Sequence, residues 1–252
     1  MKSLKVKINE SFYKNAGGMS HPTTREELQR EIMARLDRGQ YNLNDIDVSR
    51  VTNMSLVFST IHEYKKYDQL LDKIDISRWD VSNVKDMNWM FGGCSNFNSD
   101  ISKWDVSSVE NMYGMFCNCT SFNSDISKWD TGKVESMRDM FNDCPNFNCD
   151  ISKWDVSSVK DMKRMFQGCT KFNRDLSKWD VSNVEDMCSM FRYCSNFNCD
   201  LSNWDVSNVQ DMDYMFADCP KFNIDLSNWN PESVLTTNRM FFKSGVKKKP
   251  RW

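Results

Sequence analysis

Asp100-Ile101-Ser102-Lys103-Trp104-Asp105-Val106-Ser107-Ser108-Val109-Glu110-Asn111-Met112, continuing to Met115-Phe116, Cys119 and Phe122-Asn123, is one copy of a pattern that fills most of the chain. Trp79, Trp104, Trp129, Trp154, Trp179, Trp204 and Trp229 stand 25 residues apart, a period typical of stacked repeats. An altered copy precedes them, with Leu43, Ile46, Val48, Val51, Met54 and Phe58 at the matching positions. Ile46 and Trp79 are 33 residues apart, so this copy carries an insertion near residues 59–68.

Trp104 and Val106 alternate with Lys103, Asp105 and Ser107, which predicts a short strand with one buried face. Val109, Met112, Met115 and Phe116 then recur at three- and four-residue spacing, which predicts one face of a short helix or helical turn. Ser107-x-x-Glu110, Ser182-x-x-Glu185 and Ser207-x-x-Gln210 read as capping boxes for it. The expected fold is a leucine-rich-repeat-like solenoid of about eight coils, each with one short parallel strand plus a short helix or helical turn. Stacking would bury the apolar side chains of each coil against those above and below, with the indoles as a spine. Asn123 and its equivalents are expected to bond turn backbone in a stacked column.

Residues 1–42 read as an N-terminal cap, with a strand within 4–12 and an amphipathic helix opened by Thr23-Thr24-Arg25-Glu26-Glu27-Leu28 and running through Ile32, Met33 and Leu36. The solenoid takes residues 43–241. Residues 242–252 form a basic tail that includes Lys247-Lys248-Lys249-Pro250-Arg251. Pro231 replaces the Val of the repeat and removes a ladder donor where no further strand is expected to pair.

Composition narrows the chemistry. Lys and Arg number 33 against 35 Asp and Glu, a net charge of −2, which argues against attraction to polyanions by bulk charge. No apolar run is long enough to span a membrane. Cys94, Cys119, Cys144, Cys169, Cys194 and Cys219 also stand 25 apart and read as a column of buried free thiols. With only His21 and His62 and no CxxC pair, no zinc site is expected. The Asp columns through Asp100 and Asp105 read as turn-forming carboxylates and as a solvated lattice offset by Lys103 and its equivalents, rather than as calcium ligands or an acid–base pair. There is no Gly-rich phosphate loop and no nucleophile elbow, so neither enzyme nor cofactor is expected.

The unit F-N-x-D-[IL]-S-x-W-D-V-S-x-V-x-D-M-x-x-M-F-x-x-C closely resembles the 25-residue repeat of the BspA-type leucine-rich-repeat surface proteins, over about residues 43–241. The resemblance implies a leucine-rich-repeat fold and, for the surface-attached members, an adhesive role. The N-terminal MKSLKVKINE lacks the uninterrupted apolar core of a signal peptide, which makes the cytoplasm the expected location.

Where copies differ, function has room to act. Trp89, Tyr113, Arg138, Lys163, Arg164, Arg192, Tyr193 and Tyr214 vary at expected exposed helical positions, and aromatic and Arg side chains are enriched at interface hot spots. Neutral drift on a solvated face is the competing reading. The insertion supplies Tyr64 and Tyr67 as further contact candidates. The expected activity is non-enzymatic binding of another protein by a monomer. The alternative is a nucleic-acid-linked role, through Lys160, Lys163, Arg164, Arg174, Arg192 and the tail, or through charge mimicry that inhibits a nucleic-acid-processing enzyme.

Overall fold

A computed structural model describes residues 20–247 and 250. In each coil, consecutive β-turns bring first and fourth residues together on the inside. Backbone N–H groups of Trp104, Val109, Met115, Cys119 and Phe122 donate to the carbonyls of Ile101, Val106, Met112, Phe116 and Cys119, at 2.9–3.2 Å. All nine of these side chains are buried, and the equivalent residues of the neighbouring coils repeat the arrangement. The coils stack in parallel with a 25-residue register, marked by single bridges from Asp86 to Asn111, Asn111 to Ser136, and onward to Thr236.

The strand-plus-helix coil of leucine-rich-repeat type is therefore corrected. Among the described residues the regular copies contain neither extended strands nor helices; α1 (Arg25–Asp37) precedes the stack, and α2 (Val57–His62) and α3 (Lys65–Asp68) lie in the altered first copy. The spacing was compatible with both structures, because residues three apart also meet across a β-turn. Two local features decide against the helix. Gly114 and Asn118, and their equivalents in other coils, sit at positive φ, which ends any right-handed helical run. Asp105 Oδ1 accepts the N–H of Ser107 at 3.0 Å, so the residues read as a capping box form an Asx turn instead. The alternation of Trp104 and Val106 spans the junction between two turns rather than a strand.

Both Asp columns have this turn role: Asp100 Oδ1 accepts from Ser102 N–H at 2.9 Å. Charge pairing between coils falls elsewhere, as in Lys85 with Glu110 at 3.2 Å and Lys160 with Glu135 at 3.1 Å. The asparagine column does form: Asn98 Oδ1 accepts from Asn123 N–H at 2.8 Å, and Asn123 Oδ1 from Asn148 N–H at 2.7 Å. Rings stack along the axis, with Trp79 and Trp104 centroids 6.3 Å apart at 6° and Phe91 and Phe116 5.6 Å apart at 1°. Full burial of each such Phe is worth about 1.5–3 kcal/mol relative to exposure.

At the N-terminal end, Thr24 and Glu27 form a reciprocal capping box that starts α1, which buries Leu28, Ile32 and Leu36 against the first coil. The insertion folds as α2 and α3 and ties down the same helix: Lys66 Nζ lies 2.8 Å from Asp37 Oδ1, and the Tyr67 hydroxyl donates to that oxygen at 3.1 Å. The strand expected within residues 4–12, and residues 248, 249 and 251 of the basic tail, lie outside the described residues.

Candidate binding face

The segment 111–118 and its equivalents in every coil form a ribbon along one side of the stack. N–H groups of Met112, Gly114, Phe116 and Asn118 donate to the carbonyls of Ser136, Arg138, Met140 and Asn142 in the next coil, at 2.8–3.0 Å. The side chains between the buried Met and Phe positions emerge on this ribbon. Trp89, Gly114, Asp139, Arg164, Ser189 and Tyr214 share one column, all at positive φ. Tyr113, Arg138 and Lys163 occupy the column beside it, while Arg192 and Tyr193 lie one turn further round the coil.

Eight of the sequence-derived contact residues are thus brought to one face, on turns rather than helices. Six of them pack on one another in two groups. Trp89 meets Tyr113 edge-on at 5.8 Å, and a β-carbon added at Gly114 would lie 2.6 Å from the indole, so the absent side chain makes its bed. Arg138 lies over the Tyr113 ring at 5.6 Å. Further along, the Arg192 guanidinium sits between Tyr193 and Tyr214, 4.6 and 4.7 Å from their centroids, and donates to the Tyr193 hydroxyl at 2.8 Å. Tyr193 is 44% exposed, and the other seven are half-buried. Planar groups held this way keep apolar faces toward solvent with little side-chain freedom left to lose.

Asp139, which composition did not single out, ties Arg164 to Arg138 of the first group. Its buried carboxylate lies 2.9 Å from Arg164 Nε and 3.5 Å from Arg138 Nε, and accepts from Asn142 Nδ2 at 3.0 Å. The signal for it was an acid in a column otherwise holding Trp, Gly, Arg, Ser and Tyr. Burial, and then the charge of Asp139, raise the Asp143 carboxyl, and burial raises that of Asp161.

The insertion contributes less. Tyr64 is exposed, but Tyr67 is buried with its hydroxyl engaged by Asp37, so Tyr67 is corrected from a surface candidate to a strut of the cap. The basic residues do not form one patch. Lys160 pairs with Glu135 on the edge adjoining the ribbon, Lys163 lies 3.5 Å from Asp186, Arg164 is held by Asp139, and Arg174 Nε donates to the Asn148 carbonyl on the asparagine edge.

Asp186, Cys188 and Asp211 bring ligand atoms within 4.8 Å of one another. The Lys163 ammonium already faces Asp186, the two carboxylates accept the N–H groups of Cys188 and Asp213 at 2.8 Å, and burial raises the Cys188 thiol, which disfavours the thiolate a metal needs. No helix among the described residues is long and apolar enough to cross a membrane.

No curated protein and no solved structure matches the chain. One family model matches residues 29–152, 62–177 and 135–251, overlapping spans that follow from the internal repetition. The chain belongs to the family described as Mycoplasma protein of unknown function, DUF285.

Proposed function

We propose that this protein is a non-enzymatic recognition module that binds another protein through the ribbon face bearing Trp89, Tyr113, Arg138, Lys163, Arg164, Arg192, Tyr193 and Tyr214. One observation carries the reading: the core columns repeat nearly unchanged, while the variable ribbon positions gather rigid aromatic and guanidinium groups on a single side. Such groups are the usual anchors of protein interfaces, because they bury much area at low entropic cost. Drift on a solvated face would scatter Lys, Glu and Ser there instead. The dispersal and pairing of Lys160, Lys163, Arg164 and Arg174 favour this reading over a phosphate-binding patch.

The experiment is affinity capture from cells with the wild type and with a variant carrying Trp89→Ser, Tyr113→Ser, Tyr193→Ser and Tyr214→Ser. A partner recovered only by the wild type, with weak salt dependence, supports the face. Equal recovery by both proteins rejects it, and a steep loss of binding at moderate salt would point to charge mimicry or nucleic acid.

A further inference from the structure

From residue 112 to residue 118, and at the equivalent positions, the backbone hydrogen bonds between coils point the same way. Met87 N–H donates to the Asn111 carbonyl, Met112 to Ser136, Met137 to Asp161, Met162 to Asp186, Met187 to Asp211 and Met212 to Thr236. Because the acceptor carbonyl and the next donor belong to one peptide group, this is a continuous chain of aligned peptide dipoles. Three more run beside it, ending at Tyr214 to Asn238, Phe216 to Met240 and Asp218 to Phe242. A single chain on the adjoining edge, from Lys85 to Leu235, runs in the opposite sense and leaves the ribbon with a net polarity. Aligned peptide dipoles leave partial positive charge at their N–H end, as at the start of a helix, and neighbouring bonds in such chains polarise one another.

The two ends of these chains are treated differently. At the carbonyl end, α1 packs against the first coil, and Gln29 Nε2 donates to one chain-end carbonyl, that of Val57, at 3.3 Å and to the neighbouring Leu56 carbonyl at 3.1 Å. At the other end the N–H groups of Thr237, Arg239, Phe241 and Lys243 have no acceptor among the described residues. Arg239 and Lys243 flank this rim, 5.6 and 5.2 Å from the ring of Phe242, which is 44% exposed, and the Lys243 ammonium, itself largely exposed, also lies 3.9 Å from Asp218 Oδ1. The rim therefore combines a row of backbone donors, two cations and an aromatic face.

We infer that this rim, at residues 237–243, is a docking edge for an extended acidic segment of a partner protein. The donor-only row requires acceptors in a row, and the flanking cations select carboxylates over neutral carbonyls. A second copy does not fit: two such rims would set donor against donor, and α1 packs against the coil at the opposite end of the stack. The inference does not depend on the reading of the ribbon face.

The test uses the full chain and a fluorescein-labelled peptide of alternating Asp and Ala, with Lys-Ala and Ser-Ala peptides as controls. Expected are saturable binding of the Asp-Ala peptide alone and amide NMR shifts centred on Thr237, Arg239, Phe241 and Lys243. The double variant Arg239→Glu, Lys243→Glu should weaken binding about tenfold with an unchanged unfolding midpoint. Absence of binding, shifts centred elsewhere, equal binding of the controls, or burial of these amides by self-association would each overturn the inference; the amide shifts are read on the wild type and do not depend on the variant folding.

Discussion

The indole Nε1 of Trp104 donates to the carbonyl oxygen of Ile76 at 3.0 Å, and that same oxygen accepts the backbone N–H of Trp79 at 3.2 Å. One lone pair closes a turn and the other joins the coil above. The cysteines repeat the device: Phe91 O accepts Cys94 N–H at 2.9 Å and the Cys119 thiol at 3.0 Å. A turn carbonyl buried in the stack needs a second donor, and an apolar residue with one N–H or S–H supplies it without adding an unsatisfied group. This explains why Trp and Cys, rather than Leu, recur at these positions.

Trp129→Phe removes one such donor, to Ile101 O at 3.2 Å, and leaves a cavity between indoles. The Ile101 carbonyl keeps its turn bond from the Trp104 N–H, so the expected loss is about 2–4 kcal/mol rather than unfolding. Urea titration checks it. A change below about 0.5 kcal/mol would show that the indole bond carries no weight.

The thiol column makes stability depend on alkaline pH. Burial first, then neighbouring thiols, push Cys119, Cys144, Cys169 and Cys194 well above the ordinary thiol value of 9.0. The folded state therefore holds these protons more tightly than the unfolded chain does. Their contribution is complete below pH 9 and is lost as pH rises toward the folded values, at up to about 1.4 kcal/mol per pH unit for each thiol. Cys169→Ser, which cannot titrate in this range but keeps a donor for Phe141 O, should show a shallower decline above about pH 9. An unchanged slope would remove the column as its cause.

Backbone handedness on the ribbon gives opposite predictions at two sites. Gly114→Ala meets both a φ of 60° and the Trp89 indole, and should destabilise by about 1–3 kcal/mol. Ser189 holds a φ of 58° with a side chain, so Ser189→Gly should stabilise, by up to about 1 kcal/mol. Thermal unfolding of both variants decides the matter; shifts of the same sign would contradict the assigned geometry.

Excision of residues 151–175 removes one whole coil and rejoins equivalent positions. The shortened chain should unfold cooperatively at a somewhat lower temperature, since each coil contacts only its neighbours. Removing residues 151–163 breaks the register and should prevent folding. Comparable stability of the two deletions would argue against translational stacking.

The period, the buried columns and the N-terminal cap could be read from residue spacing, because repetition multiplies a weak signal. The local backbone could not. Met112, Met115 and Phe116 satisfy a helix and a chain of turns equally well, and the deciding feature is positive φ at positions that hold Trp89, Arg164 and Tyr214 as readily as Gly114. Handedness there is set by the coil above, which accepts the N–H, and not by the residue's own preference. The candidate contact residues stand out in the sequence as departures from the repeat, whereas the role of Asp139 appears only when Arg138 and Arg164 close on it. Tyr67 is buried because the insertion, which reads as a free loop in the sequence, braces α1.

Residue-resolved amide exchange tests the directional ladder most directly. Met137, Asp139, Phe141 and their partners in adjacent coils should exchange only with global unfolding, while Thr237, Arg239, Phe241 and Lys243 exchange at the rates of free peptide. Uniformly fast exchange along the ribbon, or protection of the four rim amides in the isolated monomer, would contradict the ladder and the polarity drawn from it.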